Sequence, residues 1–217
     1  FNKVPVIEGS NHDEFRLFVA LLVDVVSGPL AADQYENAIA TILNVPPVIV
    51  PALVVNYPLS NYATPGLALG ALATDAAFAC NARAADRLLS GYVKTYAYEF
   101  NDENAPQLFL PPVSFPYGAA HASEIQYLFD VPDQVGAPPF TTDQQQLADA
   151  MVRYWTRFAR SGKPKPSHLP RWPFYQGSAD GFHQEILSLV PPLPEIELGV
   201  AFSNDHQCFF WDPLIGN

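Results

Sequence analysis

The chain has 217 residues, 49% hydrophobic and 13% aromatic, which is enough to bury a substantial core and too apolar for a disordered segment. Only 15% are charged, and 22 Asp plus Glu outnumber 11 Lys plus Arg for a formal net charge of -11. That balance excludes a bare nucleic-acid surface, which needs clustered cations against phosphate, and no apolar run is long enough to span a bilayer, since Asp24 breaks even Leu17 to Val26.

The 22 prolines imply long ordered loops around a core, because proline breaks helices and central strands. The chain opens at Phe1 with no basic and apolar leader, so it reads as processed or as beginning partway through a longer protein. No internal repeat and no second domain boundary stand out, and residues 1–217 are read as part of one domain.

In chain order, Val4-Pro5-Val6-Ile7 predicts a short buried strand stopped by Gly9-Ser10-Asn11, with polar His12-Asp13-Glu14 following where open α/β sheets place their sites. Asp33 to Glu36 begins a short helix, and Val45 to Tyr62 is a proline-punctuated connection. Thr74 or Asp75 is expected to cap a helix over Ala76 to Leu89, ended by Gly91. Val93 to Phe100 combines β-branched and aromatic residues in a strand, followed by a loop from Asn101 to Ala120. His121 to Phe129 predicts a short helix or turn. Leu147, Met151, Tyr154, Trp155 and Phe158 form one apolar face of a helix over Asp143 to Arg160. The tail from Trp172 to Trp211 mixes short strands with proline turns.

Two residues stand out chemically. Glu14 lies just beyond the first strand, and His121 lies in the small-residue loop after the later one; acid before histidine is the order in which α/β-hydrolases present two members of their triad. The histidine must take a proton from a weak nucleophile and return it to a leaving group, while a buried carboxylate fixes its tautomer. Among the other histidines, His12 is expected to solvate its loop, and His168, His183 and His206 to lie exposed in the tail. No HExxH or CxxC spacing points to a metal, and the chemistry requires no cofactor. Cys80 and Cys208 are too few for a four-ligand zinc site; two buried thiols and one disulfide closing a long loop both remain open. No G-x-S-x-G elbow, glycine-rich oxyanion loop or phosphate loop is present, so this chain alone is expected to be inactive.

Four stretches together resemble the type-B carboxylesterase and cholinesterase family. Val4 to Glu14 looks like its strand and G-x-N-x-D-E loop, and Gly118 to Phe129 like its G-x-x-H-x-x-E loop. Tyr154 to Pro164 resembles the late helix signature Y-W-x-x-F-A-x-x-G-x-P, and Phe78-Ala79-Cys80 with Cys208 to Trp211 resembles its cysteine pair. Phe15 departs from the pattern by standing where the motif has Gly, and Asn81 by standing where a Pro often follows.

The resemblance implies the C-terminal part of an α/β-hydrolase fold. It implies Glu14 as triad acid, His121 as general base, Glu124 as an accompanying acid, and a Cys80–Cys208 disulfide with a secreted or cell-envelope location. It further implies a carboxylic-ester hydrolase acting on small-molecule esters, with an N-terminal portion of the same protein as the partner that supplies the nucleophilic serine and oxyanion hole. The aromatics between Phe100 and Phe140 are read either as core packing or as the lining of an apolar gorge. A catalytically silent adhesion or binding protein on the same fold is the alternative.

Overall fold

Four short strands form one mixed sheet in the computed structural model, which describes residues 1–107, 110–129, 138–176 and 184–215. The apolar run at Val4 leads into β1 (Val6–Asn11), and the strand continues through Gly9, Ser10 and Asn11, the residues expected to stop it. Parallel pairing with β2 (Thr95–Phe100) is the reason: Gly9 lies opposite Tyr98 and Asn11 opposite Phe100, so the ladder holds them extended. β3 (Glu185–Leu189) lies parallel on the far side of β2, and β4 (Glu195–Leu198) returns antiparallel to β3. Among the described residues, β1 therefore keeps one unpaired edge.

Among the described residues, the α-helices of four or more residues are α1 (Arg16–Val19), α2 (Tyr35–Ile42), α3 (Val50–Asn56), α4 (Pro65–Thr74), α5 (Cys80–Ser90), α6 (Ile125–Leu128), α7 (Thr142–Ser161), α8 (Gly199–Asp205) and α9 (Cys208–Ile215). Three expectations change here. Val45 to Tyr62 is not a bare connection but contains α3, whose Pro51 sits in the first turn where a missing amide proton costs no helical bond. No cap occurs at Thr74, because α4 runs through a π-helical stretch, Asp75–Ala79, directly into α5. The cap is Thr64, whose side chain accepts from the Leu67 amide. The tail carries the expected short strands, β3 and β4, but ends in two helices, and the Cys80–Cys208 disulfide fastens the second of them to α5.

Alternation along the strands divides the core in two. Tyr96 and Phe100 of β2, with Leu187 and Leu189 of β3, pack against Leu147, Met151 and Tyr154 of α7. That helix is held at both ends: Thr141 and Gln144 form a capping box, and Gly162 closes it at φ 65. Ala97 and Ile186 point to the other side, into a cluster with Leu69 and Leu72 of α4, Cys80 of α5, and Cys208 and Trp211 of α9. Of the aromatics between Phe100 and Phe140, Phe100, Tyr127 and Phe140 pack on one another, so these three are core rather than a gorge lining.

Glu8 interrupts this second face with a carboxyl beside Asp86 of α5. Burial pushes Glu8 up to about 7 against a hydrogen bond with Asp86, and burial together with Glu8 pushes Asp86 well above the usual range. Glu8 Oε2 and Asp86 Oδ1 are buried without a partner among the described residues. Below the ordinary Glu8 value of 4.5 the group is protonated in both folded and unfolded chains. As pH rises from there towards about 7, the unfolded chain releases its proton first, so stability falls across that window. Glu8→Gln is therefore expected to narrow the difference in thermal midpoint between about pH 5 and about pH 8; an unchanged difference in a pH series of thermal melts would contradict this.

Candidate active site

The loop leaving β1 and the loop before α6 are joined by main-chain and side-chain hydrogen bonds. The Asp13 amide donates to Ala119 O (3.0 Å), the Ala119 amide returns to Asp13 Oδ2 (3.0 Å), and the His121 amide donates to Glu14 O (3.3 Å). Asn11, the last residue of β1, donates through Nδ2 to Ala120 O (2.8 Å) and to Glu124 Oε2 (2.6 Å). These contacts bring together two residues separated by 107 positions: His121 Nδ1 lies 2.5 Å from Glu14 Oε2. With a carboxylate as partner, Nδ1 carries the proton, which leaves Nε2 as the basic nitrogen.

Glu14 is buried, and its other oxygen accepts from the Asn11 amide at 2.9 Å. Burial raises its pKa above the ordinary value, with the nearby Glu124 charge adding to the rise and the Asn11 amide and His121 opposing it. The His121 side chain is 43% exposed, so the pair couples a buried acid to an accessible imidazole. Glu124 is joined to the pair by hydrogen bonds through Asn11, whose side chain donates to Glu124 and whose amide donates to Glu14. Phe18 and Phe78 flank the imidazole, with ring centroids 5.3 and 5.5 Å away, and Phe15 packs on both. The aromatic wall beside His121 thus includes these residues from the segment after β1 and from the π-helical stretch, outside the aromatic-rich segment between Phe100 and Phe140.

Asp13 is the post between the loops. Burial alone would raise its carboxyl, but His12, Arg16 and the Ala119 amide outweigh that and hold it below the usual range. Arg16 Nη2 stands 2.8 Å from it and His12 Nδ1 3.0 Å.

Two histidines, His12 and His206, differ from the sequence expectation. His12 is half-buried and its Nε2 also meets Asp205 Oδ2 at 3.0 Å, so it braces the loop instead of being solvated. His206 is buried rather than exposed, between Asp75 Oδ1 (2.7 Å, at Nδ1) and Glu99 Oε1 (2.6 Å, at Nε2). A helix end fixed by the neighbouring disulfide carries it inward, a contact that tail composition does not reveal. His168 is exposed, as expected, and His183 lies outside the described residues.

A model of the Carboxylesterase family matches residues 1–192. The chain belongs to this family. Similar curated proteins include human Cocaine esterase, 26% identical over 183 residues, covering 81% of this chain and 32% of that protein. Carboxylesterase 3 of Pongo abelii is 28% identical over 197 residues, with 80% of this chain and 32% of that protein covered. Acetylcholinesterase of Bungarus fasciatus is 30% identical over 126 residues, with 56% and 18% covered. The chain therefore spans about a third or less of the length of these relatives and corresponds to a C-terminal portion of the family; the family implies an α/β-hydrolase fold.

Gly118 makes a local test of this geometry. It sits at φ 64, and an added Cβ would meet Asp13 Oδ2 at 2.1 Å and Arg16 Nη1 at 2.5 Å. Left-handed backbone costs an L-residue roughly 1–2 kcal/mol before that clash is counted, so Gly118→Ala is expected to lower unfolding free energy by more than about 2 kcal/mol. A urea titration showing a loss under about 0.5 kcal/mol would contradict this packing.

Proposed function

We propose that the complete protein is a carboxylic-ester hydrolase with a Ser-His-Glu triad, in which Glu14 and His121 act together and an N-terminal portion supplies the serine and the oxyanion donors. The observation that carries the reading is the Glu14–His121 hydrogen bond, a buried carboxylate on Nδ1 of a half-exposed imidazole. In the first step His121 Nε2 takes the serine proton as the hydroxyl oxygen attacks the ester carbonyl. It then gives that proton to the departing alcohol, leaving an acyl-enzyme. In deacylation it takes a proton from water as the water oxygen attacks the acyl carbonyl, and returns that proton to the serine oxygen as the acyl–serine bond breaks and the acid leaves. Glu14 keeps the proton on Nδ1 and offsets the transient imidazolium charge without taking the proton itself.

The substrates are small esters with an apolar acyl or aryl group, since Phe18 and Phe78 stand against the imidazole where such a group would lie. Residues 1–217 form the C-terminal part of a single α/β-hydrolase domain. The unpaired edge of β1 and exposed Leu22, Val25 and Val26 are surfaces that the N-terminal portion would cover. The disulfide supports a secreted or cell-envelope location. Among the described residues, no single helix is long and apolar enough to cross a membrane.

The test uses the full-length protein and a fluorophosphonate serine probe. Stoichiometric labelling is expected, with kcat for a simple aryl ester falling roughly a thousandfold or more in both Glu14→Gln and His121→Ala. Absence of labelling and of hydrolysis in folded full-length protein would remove the enzyme assignment and leave a silent binding protein.

A further inference from the structure

Behind the Glu14–His121 pair lies a second cluster that ester hydrolysis does not use. It gathers His12 from the loop after β1, Glu99 from β2 and His206 from the turn after α8, and one ligand atom from each lies within 4.8 Å of the others. Both imidazoles are oriented as in metal sites. His206 Nδ1 is 2.7 Å from Asp75, and His12 Nδ1 is 3.0 Å from Asp13, so a carboxylate fixes the Nδ1 proton in each case. Each Nε2 also faces a carboxylate oxygen, Glu99 Oε1 at 2.6 Å for His206 and Asp205 Oδ2 at 3.0 Å for His12, so each ring donates from both nitrogens and a bound metal would take the place of the two Nε2 protons.

We propose that His12, Glu99 and His206 form a site for a divalent transition metal of the zinc type, with the Asp205 carboxylate or water at the fourth position. The donor set, two imidazoles and one carboxylate, is the one zinc accepts, and Asp75 and Asp13 serve as the outer carboxylates that hold the rings. Bonds of about 2.0–2.1 Å would draw the ligand atoms to roughly 3.4 Å apart, so the present spread closes by side-chain movements on the order of an ångström. Once the two Nε2 protons are displaced, the surrounding charge favours a dication: carboxyls of Asp13, Asp75, Glu99 and Asp205 lie against the two rings, with Arg16 paired with Asp13. A path in exists because the Asp205 side chain is 60% exposed and that of His12 22%, while Glu99 and His206 form the buried floor. Such an ion would bind the loop that carries Glu14 to β2 and the C-terminal helices.

The site stands independently of the esterase reading. Full-length protein, stripped with chelator and titrated with Zn2+ alone and then Co2+ alone, is expected to bind one ion per chain and to give the visible bands of tetrahedral Co2+. His12→Gln, at the rim, and His206→Gln, in the floor, are each expected to weaken binding at least tenfold. If His206→Gln fails to fold by circular dichroism, His12→Gln decides. No saturable site in the wild-type protein, or binding that survives His12→Gln unchanged, would overturn the proposal and leave a network of ion pairs.

Discussion

The arrangement depends on a clasp between two loops, with Asp13 and Ala119 exchanging hydrogen bonds and Asn11 reaching across to Ala120. A histidine and a carboxylate separated by 107 positions meet only if their backbones are fixed first, because neither long-range contact can hold two mobile loops by itself. The clasp is anchored on the sheet: Asn11 ends β1, and the His12 amide donates to Phe100 O at the end of β2. Parallel pairing thus delivers both chain segments to the same end of the sheet, where open α/β structures assemble their sites.

Burial decides the chemistry available there. Glu14 is enclosed and has both oxygens occupied, one by the Asn11 amide and one by His121. It serves as a fixed partner for the imidazole rather than as a free base. His121 remains open on its other side against Phe18 and Phe78, where an apolar group would displace water and strengthen the polar contacts beside it. Phe15, in place of a glycine, adds a ring behind that wall, so the departure from the family motif is absorbed by packing.

Local signals were legible in the sequence where a short stretch determines its own structure. The α7 periodicity, its Gly162 stop, the β2 composition and the Glu14 and His121 loops all emerge in place. Signals failed where tertiary contacts overrule local preference. Thr74 has the chemistry of a cap, yet its hydroxyl accepts from the Phe15 amide while the helix passes through it unbroken. Gly9 and Asn11 look like a turn until β2 lies beside them. His206 looks solvent-exposed in a polar tail, but the disulfide and the Arg83–Asp212 ion pair draw that tail onto α5 and bury the ring. The clustering of His12, Glu99 and His206 is invisible in the sequence for a related reason, since they come from three remote segments and form no linear motif.

In a Ser-His-Glu triad built on Glu14, His121 turns its free nitrogen towards a serine carried by the rest of the protein. A crystal structure of the full-length protein measures this directly. A serine Oγ is expected about 3 Å from His121 Nε2, with the Glu14 contact at Nδ1 retained. A structure in which another side chain occupies Nε2, or in which no serine approaches the imidazole, would contradict it.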